Sequence, residues 1–315
     1  MMIDSKTAAK RLLENDDIEI FCHRDPDGDT LGSAMALFHT LTDMGKRVTV
    51  SCNSPYPQNL QFLVREMPAP FTPSFKVAVD VASPNMLGDI DFRPEHIDLC
   101  IDHHPTNPDY ATETLLCDYA ATGEAIFDVI RDIGTAVTPE SATAMFTALS
   151  ADTGGFRYAN TSSRTLKVAA ALMDAGADFN TVRDTLFESK SKGQIFVEAL
   201  AMAGIRYHAN SRIAVIAISL DMIKQADIDE SELEGLAAMP LQIRGVDIGI
   251  TLKERNDGSV RISLRSNDFA DVSSVCRKFD GGGHVRAAGC RLWADLEDAH
   301  NIIVSACEEA LLPRD

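Results

Sequence analysis

Short runs of β-branched and apolar residues alternate with amphipathic segments through the first half of the chain. The runs predict strands at 18–22, 47–52, 76–81 and 97–101. Apolar residues at helical spacing predict a helix over about 30–44 that ends before Gly45, a residue suited to a left-handed helix cap. Further helical patterns cover about 123–133, 139–151 and 163–174. This alternation predicts an α/β fold whose mostly parallel sheet is sandwiched by helices.

The pattern changes in the second half. A more polar helical pattern runs from about 181 to 207, and a new β-rich run covers 213–220. Helices to about 236, a hairpin of 246–253 and 259–265 across Asn256-Asp257-Gly258, a helix over 272–279, a strand near 290–293 and a closing helix to about 311 follow. We therefore predict a domain over 1–185, a helical connector over 186–207 and a smaller α/β domain over 208–315.

Composition agrees with two globular cores. The chain has 315 residues, of which 45% are hydrophobic, and this is enough for two domains. Its apolar stretches fall short of the roughly 20 residues that cross a bilayer, and its amino terminus lacks the features of an export signal. A cytoplasmic protein without membrane contact is expected. The seven cysteines are scattered, which favours buried reduced thiols over disulfides or a zinc ribbon.

The formal net charge is −18, which opposes tight binding along a long phosphate backbone because such binding depends on Lys and Arg displacing counterions. A binder of long duplex nucleic acid is therefore not expected. An acidic chain can still take a small anionic substrate if bound metal neutralises some carboxylates and a few basic groups converge.

Acidic and histidine side chains follow several of the predicted elements. Four separate segments deliver them to loop positions at strand or helix ends, where an open α/β sheet binds its ligands. These residues are His23, Asp27 and Asp29 in one loop, Asp80, the run Asp102-His103-His104, and Asp152.

The set as a whole points to metal ions, although a single Asp after a strand is usually a turn or cap residue. Carboxylates this close would repel one another, whereas metal binding makes their charges useful. Oxygen and imidazole donors without thiolates suit a pair of divalent cations, with Mn²⁺ preferred and Mg²⁺, Co²⁺ or Fe²⁺ as alternatives. Zinc also stays open.

The same motifs resemble those of the DHH phosphoesterases. The His-x-x-x-Asp-x-Asp loop at 23–29, Asp80, Asp102-His103-His104 and Asp152 match the four motifs of that family. The segment Gly281-Gly-Gly-His284-Val-Arg-Ala-Ala-Gly289 is similar to the signature of the associated carboxy-terminal domain. Motif order and length look closest to the nanoRNase type, which implies hydrolysis of short oligoribonucleotides to mononucleotides, and of 3'-phosphoadenosine 5'-phosphate or linear dinucleotides as further substrates.

The resemblance also implies roles for individual residues. One metal ion would be held by His23, Asp27 and Asp80. The other would be held by Asp29, Asp80, His103 and Asp152, with Asp80 bridging. Asp102 would orient a neighbouring histidine, and His104 would contact the reacting phosphate or assist the leaving oxygen.

The resemblance further implies that the second domain binds the substrate and that the active site lies in the cleft between the two domains. Three consecutive glycines, Gly281, Gly282 and Gly283, let backbone N–H groups approach a phosphate, and His284 adds a donor. Arg265 and Ser266 resemble the family's other substrate-binding segment, and Arg265 offers a forked donor for phosphate. Short single-stranded RNA or small phosphorylated nucleotides are the expected partners.

Several alternatives remain at this stage. An inorganic pyrophosphatase or exopolyphosphatase would share the first-domain motifs but not the Gly281-Gly-Gly-His284 segment. A catalytically silent nucleotide-binding regulator would bind nucleotides without metal-dependent turnover. A homodimer is left open. Trp293 is expected to pack rather than to stack on a base, and the histidines outside the motifs are given no function.

Overall fold

The computed structural model describes residues 1–89, 92–228, 230–267 and 269–312. They form two compact units, Met1–Ser189 and Lys190–Asp315. Each unit has its own sheet and its own hydrophobic core.

The first unit contains a parallel sheet of five strands in the order β2-β1-β3-β4-β5. The strands are β1 (Asp17–Phe21), β2 (Arg47–Ser51), β3 (Phe75–Val79), β4 (Leu99–Asp102) and β5 (Glu113–Leu116). The predicted fold class is confirmed. The strand β5 was not predicted, because its sequence Glu-Thr-Leu-Leu is too short and mixed to stand out.

Six α-helices belong to the described part of the first unit. They are α1 (Ser5–Glu14), α2 (Gly28–Asp43), α3 (Thr122–Ile133), α4 (Pro139–Asp152), α5 (Ser163–Asp174) and α6 (Phe179–Arg183). Short 3-10 helices lie at Gln58–Leu63 and Pro84–Leu87, and a π-helical turn at Asp184–Glu188 follows α6. The predicted helices α2 to α5 are confirmed, and Gly45 takes the expected left-handed conformation with φ of 85°. The helix α1 was not predicted.

The helices α2 and α4 pack backbone to backbone. A Cβ atom added at Gly32 would lie 2.5 Å from the carbonyl oxygen of Ala144, and one added at Gly28 would lie 2.5 Å from the Cβ of Ala151. Larger residues would therefore push the helices apart. This close approach brings the first turn of α2 next to the last turn of α4, which ends at Asp152.

The second unit contains a mixed sheet of six strands in the order β10-β11-β9-β8-β7-β6. The strands are β6 (Arg206–His208), β7 (Ile213–Ile218), β8 (Ile248–Glu254), β9 (Val260–Ser266), β10 (Gly282–His284) and β11 (Ala287–Leu292). The helices are α7 (Lys192–Ala203), α8 (Leu220–Ala226), α9 (Val272–Arg277) and α10 (Leu296–Ala310), with 3-10 helices at Glu230–Ala238 and Pro240–Gln242. The predicted hairpin is confirmed as the antiparallel pair β8 and β9.

Two expectations were wrong. Arg206–His208 is an edge strand that pairs with β7 rather than the end of a helix, because tertiary pairing overrides the weak helical pattern. Gly282–His284, for which no strand was predicted, pairs with β11 as a short strand. Trp293 does not pack, since 73% of its surface is exposed. In the ranges described, every helix is too short or too polar to cross a lipid bilayer.

Candidate metal centre

The predicted ligands gather where the strand order of the first sheet reverses. From β1 the chain proceeds to β2 on one side, whereas β3 lies on the other side of β1. His23 follows β1 and Asp80 follows β3, so both lie at the carboxyl ends of adjacent parallel strands. Ligands of open α/β sheets bind at this switch point. Asp80 is held with φ of 58°, a left-handed conformation that is uncommon outside glycine and is often found at functional sites.

The first turn of α2 supplies two carboxylates. Asp27 caps the helix, since its side chain accepts hydrogen bonds from the backbone N–H groups of Asp29 and Thr30 at 3.0 and 3.1 Å. Asp29 is fully buried, and the backbone N–H groups of Thr122 and Gly123, at the start of α3, donate to its two oxygens at 2.7 and 3.0 Å. The positive end of α3 therefore stabilises the charge of Asp29.

His103 is surrounded by carboxylates. Its Nδ1 lies 3.1 Å from the carbonyl oxygen of Tyr119, which can only accept, so Nδ1 is the donor. In the neutral ring, the opposite nitrogen, Nε2, then presents a lone pair. It lies 3.3 Å from Asp152, 3.5 Å from Asp80 and 3.8 Å from Asp29. A lone pair that faces three carboxylates is repelled by each of them.

The potential ligand atoms form three overlapping groups. In each group the atoms lie within 4.8 Å of one another, and Asp80 belongs to two groups. The groups are His23 with Asp27 and Asp80, Asp29 with His103 and Asp152, and Asp80 with His103 and His104. The structure thus brings together all six residues named as ligands from the sequence.

Asp102 and His104 form a separate pair beside these groups. Oδ1 of Asp102 lies 2.8 Å from Nδ1 of His104, and Oδ2 accepts a hydrogen bond from the Asn107 amide at 2.7 Å. Burial works to raise the pKa of Asp102, but the bonds from His104 and Asn107 outweigh it and hold that pKa below its ordinary value. Asp102 therefore stays ionised and fixes the orientation of the His104 ring.

Without a bound cation, the charged forms of these buried carboxylates are unfavourable. Burial raises the pKa of Asp29 to about 6. Burial also raises the pKa of Asp80 and of Asp152 well above their usual range, and the nearby charges of Asp29 and Asp27 raise both further. Because bound cations would reverse this repulsion, the donor set fits divalent metal ions.

The buried Nε2 of His103 also indicates that the site fits a metal ion. Its Nε2 finds no hydrogen-bond partner among the described residues, and such buried orphans are rare and need an explanation. A metal ion within the Asp29, His103 and Asp152 group would satisfy it. The hydrogen bond from Nδ1 to Tyr119 matches the outer support that metal-binding histidines ordinarily have.

The predicted substrate-binding residues lie at one end of the second sheet. Arg265 is half-buried at the end of β9, directly opposite Ala287. Ser266 is buried, and its hydroxyl donates to the carbonyl oxygen of Ala270 at 2.8 Å. His284 is exposed at the end of β10.

The three glycines before His284 differ in what a larger side chain would contact. A Cβ atom at Gly281 would lie 2.3 Å from the carbonyl oxygen of Gly289, and one at Gly283 would lie 2.5 Å from that of Ala287. Gly283 also has φ of 135°, which other residues rarely adopt. A Cβ atom at Gly282 would meet open space. The first and third glycines are thus required by β10–β11 pairing, and Gly282 leaves the backbone accessible.

Sequence reasoning missed one residue that touches the centre. The Thr122 hydroxyl donates to Oδ1 of Asp80 at 2.9 Å, while its backbone N–H binds Asp29. Thr122 is fully buried. Its sequence context, the start of a predicted helix, gave no sign of this contact.

Two family models match the chain. The DHH family, N-terminal domain, matches residues 17–149, and the DHHA1 domain matches residues 210–309. The first match includes the motif residues from His23 to His104 and ends before Asp152, and the second includes the Gly281–Gly289 segment.

Individual proteins are similar over nearly the full chain. A bifunctional oligoribonuclease and PAP phosphatase NrnA of Thermus thermophilus is 30% identical, with 93% of this chain and 90% of that protein covered. The crystal structure of an exopolyphosphatase-related protein from Bacteroides fragilis superposes with a TM-score of 0.88 at 22% identity, covering 97% and 96% of the two chains. RecJ of Thermus thermophilus, solved in complex with Mn²⁺, has a TM-score of 0.58 at 13% identity and covers 98% of this chain and 55% of its own.

Proposed function

This chain belongs to the DHH family, in the combination of a DHH domain with a DHHA1 domain, and we propose that it hydrolyses short oligoribonucleotides to 5'-mononucleotides in a reaction that depends on two divalent cations. It is a phosphoesterase, and hence a hydrolase. The proposed substrates also include 3'-phosphoadenosine 5'-phosphate and linear dinucleotides, because the Thermus thermophilus relative is named as both an oligoribonuclease and a PAP phosphatase.

The observation that carries the metal requirement is the buried Nε2 of His103, which faces three carboxylates and has no hydrogen-bond partner among the described residues. We propose that Asp29, Asp80, His103 and Asp152 hold one cation. His23, Asp27 and Asp80 hold the other, and this makes Asp80 the bridging ligand. The resident metal is taken to be Mn²⁺, to which oxygen and imidazole donors are suited.

Two divalent cations held by these residues would supply activation of water and neutralisation of charge on the phosphoryl group. The protein supplies the geometry. Thr122 and the first turn of α3 hold Asp80 and Asp29 in place, and Asp27 is fixed as the helix cap of α2. Ligands that are held in advance need no reorganisation when the substrate arrives.

Asp102 and His104 act on the substrate side. The bond from Nδ1 of His104 to Asp102 fixes the ring, so that the other ring nitrogen is presented to the reacting phosphate. We propose that this nitrogen binds a phosphoryl oxygen or delivers a proton to the leaving oxygen. The Asp102 carboxylate raises the pKa of His104 above its ordinary value, against the effect of burial. The raised pKa favours the protonated ring, which both roles require.

The second unit is proposed to hold the non-reacting end of the substrate. Arg265, the accessible backbone at Gly282 and the exposed ring of His284 offer donors to a phosphate. Gly281 and Gly283 allow β10 to lie close against β11, and Ser266 secures the end of β9 through its bond to Ala270.

Product analysis tests this function. Metal-stripped protein is supplied with Mn²⁺ and given a 5'-phosphorylated RNA dinucleotide, a longer RNA, 3'-phosphoadenosine 5'-phosphate and pyrophosphate in parallel. We expect mononucleotides from the dinucleotide and inorganic phosphate from 3'-phosphoadenosine 5'-phosphate. Turnover of pyrophosphate alone would contradict the proposal, and nucleotide binding without turnover would indicate a regulatory protein.

A further inference from the structure

One face of the second sheet carries an unusual row of positive charges. Side chains of directly opposite residues project from the same face of a sheet. Lys253 on β8 is opposite Arg261 on β9, and Arg261 is opposite Arg291 on β11. Three cations therefore lie side by side across three neighbouring strands.

This arrangement costs stability, because like charges directly opposite each other in an antiparallel pair repel. Asp257 forms an ion pair with Arg291, with Oδ2 of Asp257 at 3.1 Å from Nη1 of Arg291, and this reduces the repulsion at Arg291. Arg261 is exposed, and it forms no ion pair with any residue that the structure describes. An exposed arginine directly opposite a second arginine, in a protein of net charge −18, offers a local site for an anionic ligand.

The part of this face formed by β9 and β11 is open. Ile262, Leu264 and Cys290 point to the opposite face, where they belong to the core. On the same face as the row, the segment around Leu236 covers Thr251 of β8 but leaves Ser263 partly exposed on β9. A Cβ atom added at Gly289 would meet only the carbonyl oxygen of Ile262, and one at Gly282 would meet nothing.

The small residues of this open part form a flat strip. Ser263, Gly289 and Gly282 lie in register across β9, β11 and β10. The strip runs across the strands, parallel to the cationic row, and lies between that row and Arg265. Arg265 lies four positions after Arg261 on β9, which is about 13 Å at the rise of an antiparallel strand.

The distance between Arg261 and Arg265 suits a nucleotide chain. A separation of about 13 Å is longer than one phosphate group, so the two arginines are spaced for linked nucleotides rather than for a single phosphate.

The only tryptophan of the chain directly follows β11. Trp293 follows Arg291 by two residues, and 73% of its surface is exposed. Aromatic side chains beside a basic groove are the usual platforms for bases of single-stranded nucleic acid.

We propose that the face formed by Arg261, Ser263, Gly289, Arg291 and Trp293 is a binding track for the part of a single-stranded RNA that extends beyond the first two nucleotides. Arg261 and Arg291 bind backbone phosphates, and Trp293 stacks on a base. This inference rests on the proposed oligoribonucleotide substrate and extends it, since the track makes affinity depend on RNA length.

The test measures RNA binding to the full-length, metal-stripped protein, so that no turnover occurs. The probes are a 5'-phosphorylated RNA dinucleotide and a heptanucleotide of the same base composition. Because Trp293 is the only tryptophan, its intrinsic fluorescence reports directly on the track. We expect the heptanucleotide to quench this fluorescence and to bind more tightly than the dinucleotide, which leaves the signal unchanged.

Matched variants assign the effect to the track. We expect R261Q/R291Q to weaken heptanucleotide binding about tenfold. The salt slope should fall by about 1.4, because each phosphate neutralised on a single strand accounts for about 0.7. Dinucleotide affinity should stay within about twofold. W293A, followed with labelled RNA, should weaken heptanucleotide binding about tenfold.

The control R206Q/R277Q removes two charges away from this face, at the edge strand β6 and on α9. It should leave the affinity for both RNAs unchanged. The R261Q/R291Q protein should melt no lower than the parent, because the substitution relieves repulsion between opposed arginines.

Three results would overturn the track. The first is equal affinity of the protein for the dinucleotide and the heptanucleotide. The second is a reduction of affinity in R206Q/R277Q as large as that in R261Q/R291Q. The third is quenching of Trp293 by a polyglutamate peptide of the same charge that is as strong as quenching by the heptanucleotide. The Mn²⁺-loaded protein separates this inference from the proposed function. Failure to hydrolyse the dinucleotide refutes the proposed function, whereas hydrolysis without any effect of RNA length on binding refutes only the track.

Discussion

Removing the Thr122 hydroxyl should weaken metal binding without unfolding the protein. In T122V, Asp80 is deprived of a donor 2.9 Å from its Oδ1, while the backbone N–H that binds Asp29 is retained. A hydrogen bond to a charged group contributes about 1.5–3 kcal/mol, which corresponds to a change of about 10- to 100-fold in an equilibrium constant. Residues that support metal ligands from outside typically have effects of this size. We therefore expect the Mn²⁺ dissociation constant to rise about 10- to 100-fold, measured by calorimetry on metal-stripped protein.

The conservative variant T122S provides the control, because it keeps the hydroxyl. It should retain Mn²⁺ affinity within a few fold of the parent, and dinucleotide turnover at saturating Mn²⁺ should recover in step with metal occupancy. Parental Mn²⁺ affinity in T122V, or an equally weakened affinity in T122S, would refute the role of the hydroxyl in positioning Asp80.

Further predictions concern stability and pH. In the metal-free protein, the pKa of Asp29 is raised from 3.8 to about 6, so its contribution to folding is present below pH 3.8 and is lost as the pH rises through 6. EDTA-treated protein should therefore melt at a higher temperature at pH 5 than at pH 7, with this group contributing about 1.3 kcal/mol more to the free energy of unfolding at pH 5. The stabilisation gained from Mn²⁺ should be smaller at pH 5, and a gain independent of pH would contradict this. G32A should lower the free energy of unfolding by about 1–3 kcal/mol in urea titrations, because its Cβ would lie 2.5 Å from the Ala144 carbonyl oxygen. The control G235A, whose Cβ would meet nothing within 4 Å, should leave the free energy of unfolding unchanged. G283A should destabilise the second unit through both its φ of 135° and its contact with the Ala287 carbonyl, whereas G282A should melt like the parent.

The location of the candidate site could be predicted from the sequence because parallel strands share an edge. His23, Asp80 and Asp102 each end or follow a recognisable apolar run, and the carboxyl ends of such runs meet at one edge of an α/β sheet. The proximity of Asp152 was harder to foresee. It depends on α2 and α4 packing through Gly28 and Gly32, which only the assembled fold reveals.

Interactions that depend on the register between distant elements could not be predicted. Thr122 reaches Asp80 because the start of α3 lies over the end of β3, and no local pattern encodes that placement. The strand Gly282–His284 looked like a loop because glycines have low strand propensity, yet pairing with β11 determines its structure. Trp293 was expected to pack because large aromatic residues are mostly buried, and only the structure revealed its exposure.

The cationic row could not be predicted either, because it depends on the register between separate strands. In the sequence, Lys253, Arg261 and Arg291 are single charges in separate strands, as is normal for an exposed sheet face. The register of β8, β9 and β11 brings them side by side. The sequence therefore predicted the candidate metal ligands but not the surface proposed to extend RNA binding.

The most direct test of the central claim is a titration of metal-stripped protein with Mn²⁺, in which bound metal and hydrolysis of a 5'-phosphorylated RNA dinucleotide are measured on the same samples. We predict two Mn²⁺ ions per chain at saturation and hydrolysis that rises only as the sites fill. In D80N, which lacks the proposed bridging carboxylate, both bound Mn²⁺ and turnover should fall together. Full dinucleotide turnover in the presence of excess EDTA, or parental turnover in D80N, would contradict the assignment of these residues to a two-metal phosphoesterase site.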